Sequence, residues 1–191
     1  MVVDKNHIRA IVIGGSAGSF SVIGKILERI PSDFQIPIIL SMHRLKNVRK
    51  GFQEALQLKS KLEIIEPNDK ESVRNGKVYL APANYHLCVE LGNSFSLSTE
   101  PMVNNSRPAI DLTFESASYV YKDKLIGILL SGANKDGAVG MKYIAERGGI
   151  TVVQDPEECV IDTMTKAALH LVNVDYVLKI DGIIDFLNKL S

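Results

Sequence analysis

The chain has 191 residues, 46% of them hydrophobic, enough for one compact domain with a buried core. Lys plus Arg and Asp plus Glu balance at 22 each, so the chain carries no electrostatic footprint for nucleic acid or for an anionic membrane surface. No apolar run approaches the roughly 20 residues that span a bilayer, and the polar residues 1–9 lack the apolar stretch of a signal peptide. Cys88 and Cys159 fit neither metal nor redox spacing. A cytoplasmic protein with reduced, buried thiols and no metal is the expectation.

Residues 8–13 (IRAIVI) form a short β-branched run ending in glycines, which predicts a buried strand. Apolar spacing over 20–30 predicts a helix that stops before Pro31. A strand over 36–42, a helix over 48–58 and a short strand over 62–65 follow. Between 77 and 98 the extended runs KVYLA, HLCVEL and SFSLS are separated by turn signals at Asn84 and Gly92-Asn93, which predicts an antiparallel excursion on one edge. The polar loop 101–107 (PMVNNSR) leads to Pro108, suited to the first turn of a helix ending near Tyr121. Strand 124–130, helix 137–147, strand 150–154, helix 164–171, strand 176–179 and helix 182–190 complete the alternation. Strands alternating with helices imply a mostly parallel sheet covered on both faces. The expected fold is a single domain over 1–191, a three-layer doubly wound α/β sandwich with its ligand site outside the carboxyl ends of the strands.

Three readings compete for the turn after the first strand, Gly14-Gly15-Ser16-Ala17-Gly18-Ser19. A dinucleotide fingerprint lacks a glycine at Ile13 and an acid after the second strand, which ends Ser41-Met42-His43. A phosphate loop ending in Gly24-Lys25 has Ser19 for its first glycine and Ile26 for its hydroxyl residue. The pattern G-x-S-x-G is met by Gly14, Ser16 and Gly18 on a strand-to-helix turn. Such a turn exposes a serine beside unpaired helix-start amides that can hold an oxyanion, with Ala17 and Gly18 as candidate donors. The plainer reading is that Ser16 only caps the helix.

His43 follows the next strand. Neighbouring strands lie roughly 4.8 Å apart, so residues just past their ends come within hydrogen-bond reach, and His43 is a candidate general base. His7, in the tail, and His170, on a late helix, are weaker candidates, while His86 could line a cleft. A hydroxyl–imidazole pair needs an acid. Asp136 and Asp155 both follow strands; each also serves a plainer purpose as a cap or a turn residue, and spacing does not choose between them. The chain order Ser, His, Asp differs from that of the α/β-hydrolases.

The segments IVIGGSAGS, the strand ending in His43, Tyr79-Leu80-Ala81-Pro82, Arg107-Pro108-Ala109-Ile110-Asp111 and Leu130-Ser131-Gly132 through Asp136-Gly137 occur in order. Together they resemble successive blocks of the chemotaxis methylesterase CheB family over nearly the whole chain. The resemblance implies a triad of Ser16, His43 and Asp136. It also implies hydrolysis of glutamate methyl esters on methylated chemoreceptor cytoplasmic domains, glutamine deamidation in some members, and no cofactor. Family members usually carry an N-terminal receiver domain, so with none expected in this chain a separate receiver-domain protein is the candidate regulator. Ala133 and Asn134 stand where the family usually has methionine and glycine, and Lys135 adds a cation beside Asp136. Ile161-Asp162-Thr163-Met164-Thr165 departs from the usual phenylalanine-glycine-methionine-proline run. Ala133 joins Ala17 and Gly18 as an oxyanion or positioning candidate, and Arg107 is a candidate for holding an acidic receptor segment. The alternatives are a non-catalytic interaction module using the same cleft, motivated by these departures, and a phosphate binder at the helix start after Ser16.

Overall fold

A computed structural model of the protein describes residues 6–44 and 51–191. Its elements are β1 (Ala10–Gly15), α1 (Ser19–Arg29), β2 (Ile38–Met42), α2 (Phe52–Gln57), β3 (Glu63–Ile65), β4 (Lys77–Leu80), β5 (His86–Glu90) and β6 (Ser94–Ser98). There follow α3 (Ile110–Tyr121), β7 (Leu125–Leu129), α4 (Ala138–Glu146), β8 (Ile150–Gln154), α5 (Thr163–Leu171), β9 (Tyr176–Leu178) and α6 (Ile180–Asn188). The opening of the helix expected over 48–58 lies outside the described residues, and the rest of it is α2.

Seven strands form one sheet in the order β3-β4-β2-β1-β7-β8-β9, every pair parallel. All six residues of β1 are buried, as a central strand covered on both faces requires. Because successive side chains point to opposite faces, Ile11 and Ile13 enter a core shared with α1 and α6, while Ala10 and Val12 enter one shared with α3, α4 and α5. From β1 the chain builds one side of the sheet with β2, the edge strand β3, and β4 inserted between those two, then returns to build the other side with β7, β8 and β9. The order so reverses between β1 and β7, where a crevice opens at the carboxyl ends. Register levels those ends: Gly15 pairs with Met42, and Gly14 with Leu129. The residues just after β1, β2 and β7 therefore emerge at one height.

The antiparallel excursion is present as the hairpin of β5 and β6, whose Val89 and Phe95 pair in register and join the α3 side of the core. Its expected first run is placed differently, because Lys77–Leu80 is β4 and pairs in parallel with β2 and β3. An apolar run alternates in the same way whichever partner it takes, so only topology separates the two cases. Cys88 and Cys159 are free and half-buried rather than buried, and burial pushes both thiols up, away from the reactive thiolate. Among the described residues no helix is long and apolar enough to cross a membrane.

Candidate active site

The turn after β1 is fixed by backbone geometry. Gly18, the residue before α1, has φ 84°, a left-handed conformation that L side chains resist. A Cβ there would also stand 2.6 Å from Cβ of Val160. At Gly14 a Cβ would meet Cζ of Phe114 at 3.0 Å and Cδ1 of Leu129 at 3.2 Å, so this glycine lets α3 pack directly onto the end of β1. The Ser16 N–H donates to the Ser131 carbonyl at 2.9 Å. The Ser16 carbonyl accepts from the Ser19 N–H at 3.1 Å and from the Ser19 hydroxyl at 2.7 Å. Ser19 thus closes the turn, and α1 has no side-chain cap at Gly18. The Ser16 hydroxyl points instead at an imidazole.

That imidazole is His43, whose backbone N–H donates to the Gly15 carbonyl at 3.2 Å as the β1–β2 ladder ends. Its Nδ1 lies 3.1 Å from Ser16 Oγ, and its Nε2 lies 2.7 Å from Asp136 Oδ2. Fourteen per cent of the His43 side chain is exposed and none of Asp136.

Asp136 precedes α4 in sequence but serves α3 in space. Its Oδ2 accepts from the Ile110 N–H at 2.7 Å, and its Oδ1 accepts from the Asp111 N–H at 3.1 Å and the Asn104 amide at 2.9 Å. Asp111 returns the exchange: its Oδ1 accepts from Gly137 N–H and Gly140 N–H, each at 2.8 Å, at the start of α4. Each helix is therefore capped by a carboxylate from the entrance of the other. The two hydrogens of the Asn104 amide join the pair, the second reaching Asp111 Oδ2 at 2.8 Å. A fully buried carboxylate is costly unless its lone pairs are met, and four donors plus the positive end of α3 meet them. Burial raises the Asp136 pKa, but hydrogen bonds from His43, Ile110, Asn104 and Asp111 outweigh it and hold the carboxyl below its ordinary value. Asp111 moves the other way: burial, with the charge of Asp136 adding to it, holds its carboxyl above the usual carboxylate value.

The loop 101–107 carries Asn104 to this place. Val103 and Ser106 exchange backbone bonds at 3.3 and 2.9 Å around Asn104 (φ 50°) and Asn105 (φ 59°), both left-handed as in a tight hairpin turn. The turn also brings Ser106 Oγ to 3.3 Å from His43 Nδ1. Asn104, Ser106 and the capping role of Asp111 are the residues that sequence reasoning misses. The Asn-Asn pair signals a turn, but nothing local says which carboxylates it reaches.

The remaining candidates fall as follows. Ala17 is exposed on the Ser16 turn, and Ala133 is exposed on the loop after β7. Arg107 borders the cleft, yet its guanidinium bonds the Asn84 side chain at 2.8 Å and the Glu100 carbonyl at 2.8 Å, tying the loop together. Asp155 bonds the Glu157 N–H at 3.0 Å and caps the turn Pro156–Glu158, as its plainer reading has it. His86 is not a cleft wall: it is 1% exposed, its Nε2 bonding the Pro101 carbonyl at 3.0 Å and its Nδ1 accepting from the Ala109 N–H at 3.2 Å. His7 bonds Asp123 at 3.0 Å.

Above Ser16 and His43 lies an open cleft of about 580 Å³, walled by Phe20, Met42, Phe52 and Met102. The rings of Phe20 and Phe52 meet edge to face with centroids 4.8 Å apart. The Arg44 guanidinium lies 4.6 Å from the Phe52 ring centre and is paired with the Glu66 carboxylate. An apolar wall beside a hydroxyl–imidazole–carboxylate series suits attack on a neutral acyl group better than capture of a phosphate.

Residues 11–187 match the family model described as CheB methylesterase. A chain of Leptospira interrogans is 44% identical over 185 residues, covering 97% of this chain and 96% of that one. The protein-glutamate methylesterase/protein-glutamine glutaminase of Clostridium acetobutylicum is 35% identical over 188 residues, covering 98% of this chain but 54% of the relative. The crystal structure of the Thermotoga maritima CheB methylesterase catalytic domain superposes with a TM-score of 0.91 at 33% identity, covering 96% and 99% of the two chains. None of these likenesses supports a binding module without turnover.

Proposed function

The chain belongs to the CheB methylesterase family, and from that premise we propose that it hydrolyses glutamate methyl esters on the cytoplasmic domain of a methylated chemoreceptor, with Ser16 as nucleophile, His43 as base and Asp136 as the acid that holds the base. What supports these roles is the unbroken series from Ser16 Oγ to His43 Nδ1 at 3.1 Å and from His43 Nε2 to Asp136 at 2.7 Å. An ionised carboxylate only accepts, so Nε2 carries the imidazole hydrogen and Nδ1 turns its lone pair to Ser16. His43 takes the Ser16 proton as Oγ bonds to the ester carbonyl carbon. Amides of the turn at Ala17 and Gly18, and that of Ala133 on the loop after β7, are the candidates for holding the oxyanion. The intermediate collapses, the bond between the acyl carbon and the methoxy oxygen breaks, and His43 Nδ1–H protonates the departing oxygen to give methanol. Water then attacks the acyl-enzyme, restoring Ser16 and leaving a glutamate carboxylate. The same steps on a glutamine release ammonia.

The apolar wall fits a neutral methyl ester better than the carboxylate it becomes, which favours product release. Action on a cytoplasmic receptor segment places the enzyme in the cytoplasm, and control by a separate receiver-domain protein belongs to the same proposal.

Methanol release from methylated receptor cytoplasmic fragments tests it. The wild-type chain is expected to release methanol, and Ser16→Ala to fall by about 10⁴-fold or more with unchanged circular dichroism. Undiminished release by Ser16→Ala would remove Ser16 from its role.

A further inference from the structure

Two hydroxyls address one nitrogen in this site, and the proposed reaction uses one of them. Ser106 Oγ stands 3.3 Å from His43 Nδ1, against 3.1 Å for Ser16 Oγ. It is held there by its surroundings: Ser106 exchanges backbone bonds with Val103, Asn104 two residues before it is anchored to two carboxylates, and Arg107 after it is bonded to Asn84 and Glu100. The neutral imidazole offers a single lone pair at Nδ1, and the nearer Ser16 hydroxyl occupies it. The Ser106 hydroxyl has a second, longer outlet in the Asn104 carbonyl at 3.4 Å. In the resting site it is the reserve donor.

Acylation changes that balance. Once Ser16 Oγ is part of an ester it has no hydrogen to donate, and Nδ1 must act as base toward water. Two atoms about 3.3 Å apart can both touch one water placed at ordinary hydrogen-bond distance from each. Ser106 also borders the cleft, together with Ser16 and His43.

We propose that Ser106 is the residue that positions the hydrolytic water in deacylation. Its hydroxyl donates to the water oxygen while the water donates to His43 Nδ1. The water oxygen bonds to the acyl carbon as its proton passes to Nδ1. The bond from carbon to Ser16 Oγ then breaks, and Nδ1–H returns its proton to Oγ. Ser106 keeps its own proton throughout, so it orients a reactant and is not consumed. This inference rests on Ser16 being the nucleophile.

The test is rapid-quench methanol release from methylated receptor fragments by the full chain, comparing wild type, Ser106→Ala and Ser106→Thr, with the acyl-enzyme followed by intact-protein mass spectrometry. Ser106→Ala is expected to keep the first, stoichiometric release of methanol while its steady rate falls about tenfold, the rate equivalent of one hydrogen bond. Acyl-enzyme then accumulates on Ser16. Hydroxylamine, a stronger nucleophile that needs less orientation than water, is expected to restore turnover of the accumulated ester, and Ser106→Thr to restore much of the rate with water. A Ser106→Ala variant that slows both phases equally, or neither, overturns the water-positioning role and leaves Ser16 as nucleophile. Failure of the wild-type chain to release methanol, or acyl transfer to another residue, overturns the underlying reading and this one with it.

Discussion

The two ends of the site are built by different means. At the end that carries the proposed nucleophile, Gly14, Gly18 and Ser19 lie within five residues of Ser16 and shape its turn through backbone conformation and a short hydroxyl bond, with the Ser131 carbonyl accepting from the Ser16 N–H. At the acid end, Asp136 is held by Asn104, Ile110 and Asp111, which lie 32, 26 and 25 residues away along the chain. The shape of this turn is coded mainly by neighbouring residues, with Ser131 its chief distant tie. An acid held by distant partners is only as well placed as the packing of α3 against α4.

The largest test of this contrast is Asp136→Asn. The amide cannot accept from all four donors and presents a donor of its own to some of them, so kcat is expected to fall about 10³–10⁴-fold and stability by about 2–3 kcal/mol. The stability part has a pH sign. Because the folded pKa of Asp136 is depressed, its contribution is fully present above the unfolded value of about 3.9 and lost as pH falls through the folded one. The gap between wild type and variant in urea unfolding should thus narrow in acid. A gap that widens there breaks the picture of an acid stabilised as its anion.

Next in size is Gly18→Ala, which tests the local end. The left-handed φ and the approach to Val160 are expected to cost about 2 kcal/mol in urea, with kcat lowered because the Ser16 turn shifts. Wild-type stability and rate together would show that the turn does not depend on this glycine.

The smallest effect is expected of Asp111→Asn. Its retained oxygen still accepts from Gly137 and Gly140, and the bond lost is that with Asn104, about 1 kcal/mol or less. Its pH sign is opposite to that of Asp136. Burial raises the Asp111 carboxyl, so the protonated form is favoured in the folded chain and the wild type loses stability as pH rises between the unfolded value and the higher folded one. The difference between wild type and Asp111→Asn should shrink from about pH 4 toward neutrality, and growth over that range would place Asp111 with Asp136 as a stabilised anion.

The same contrast explains what the sequence makes legible. Strand–helix alternation predicts the parallel sheet, and the position of Gly14, Ser16 and Gly18 at one strand end, with His43 at the next, is local information. Asp136 and Asp155 are indistinguishable in that way, because each follows a strand and each suits a cap. What separates them in space is the start of α3, to which Asp136 turns and Asp155 does not. Likewise, 101–107 reads only as a polar loop, since composition does not record that its amide bridges two carboxylates or that its hydroxyl shares an imidazole nitrogen. The run Lys77–Leu80 is misplaced for a related reason: adjacency along the chain suggests a hairpin, while β2 and β3 supply its partners. His86 looks available and is spent on two backbone groups.

The exchange of carboxylates between α3 and α4 also sets how the molecule fails on heating. For Asp136 to swing away from His43, the amides of Ile110 and Asp111 must lose their acceptor, which frays α3 at its first turn. Moving Asp136 gives up the bonds to Asn104, Ile110 and Asp111 together, so its departure is expected to go with opening of the helix starts as a unit. Thermal inactivation at this end should accordingly coincide with the melting of α3 and α4, whereas the Ser16 turn can loosen before the fold does.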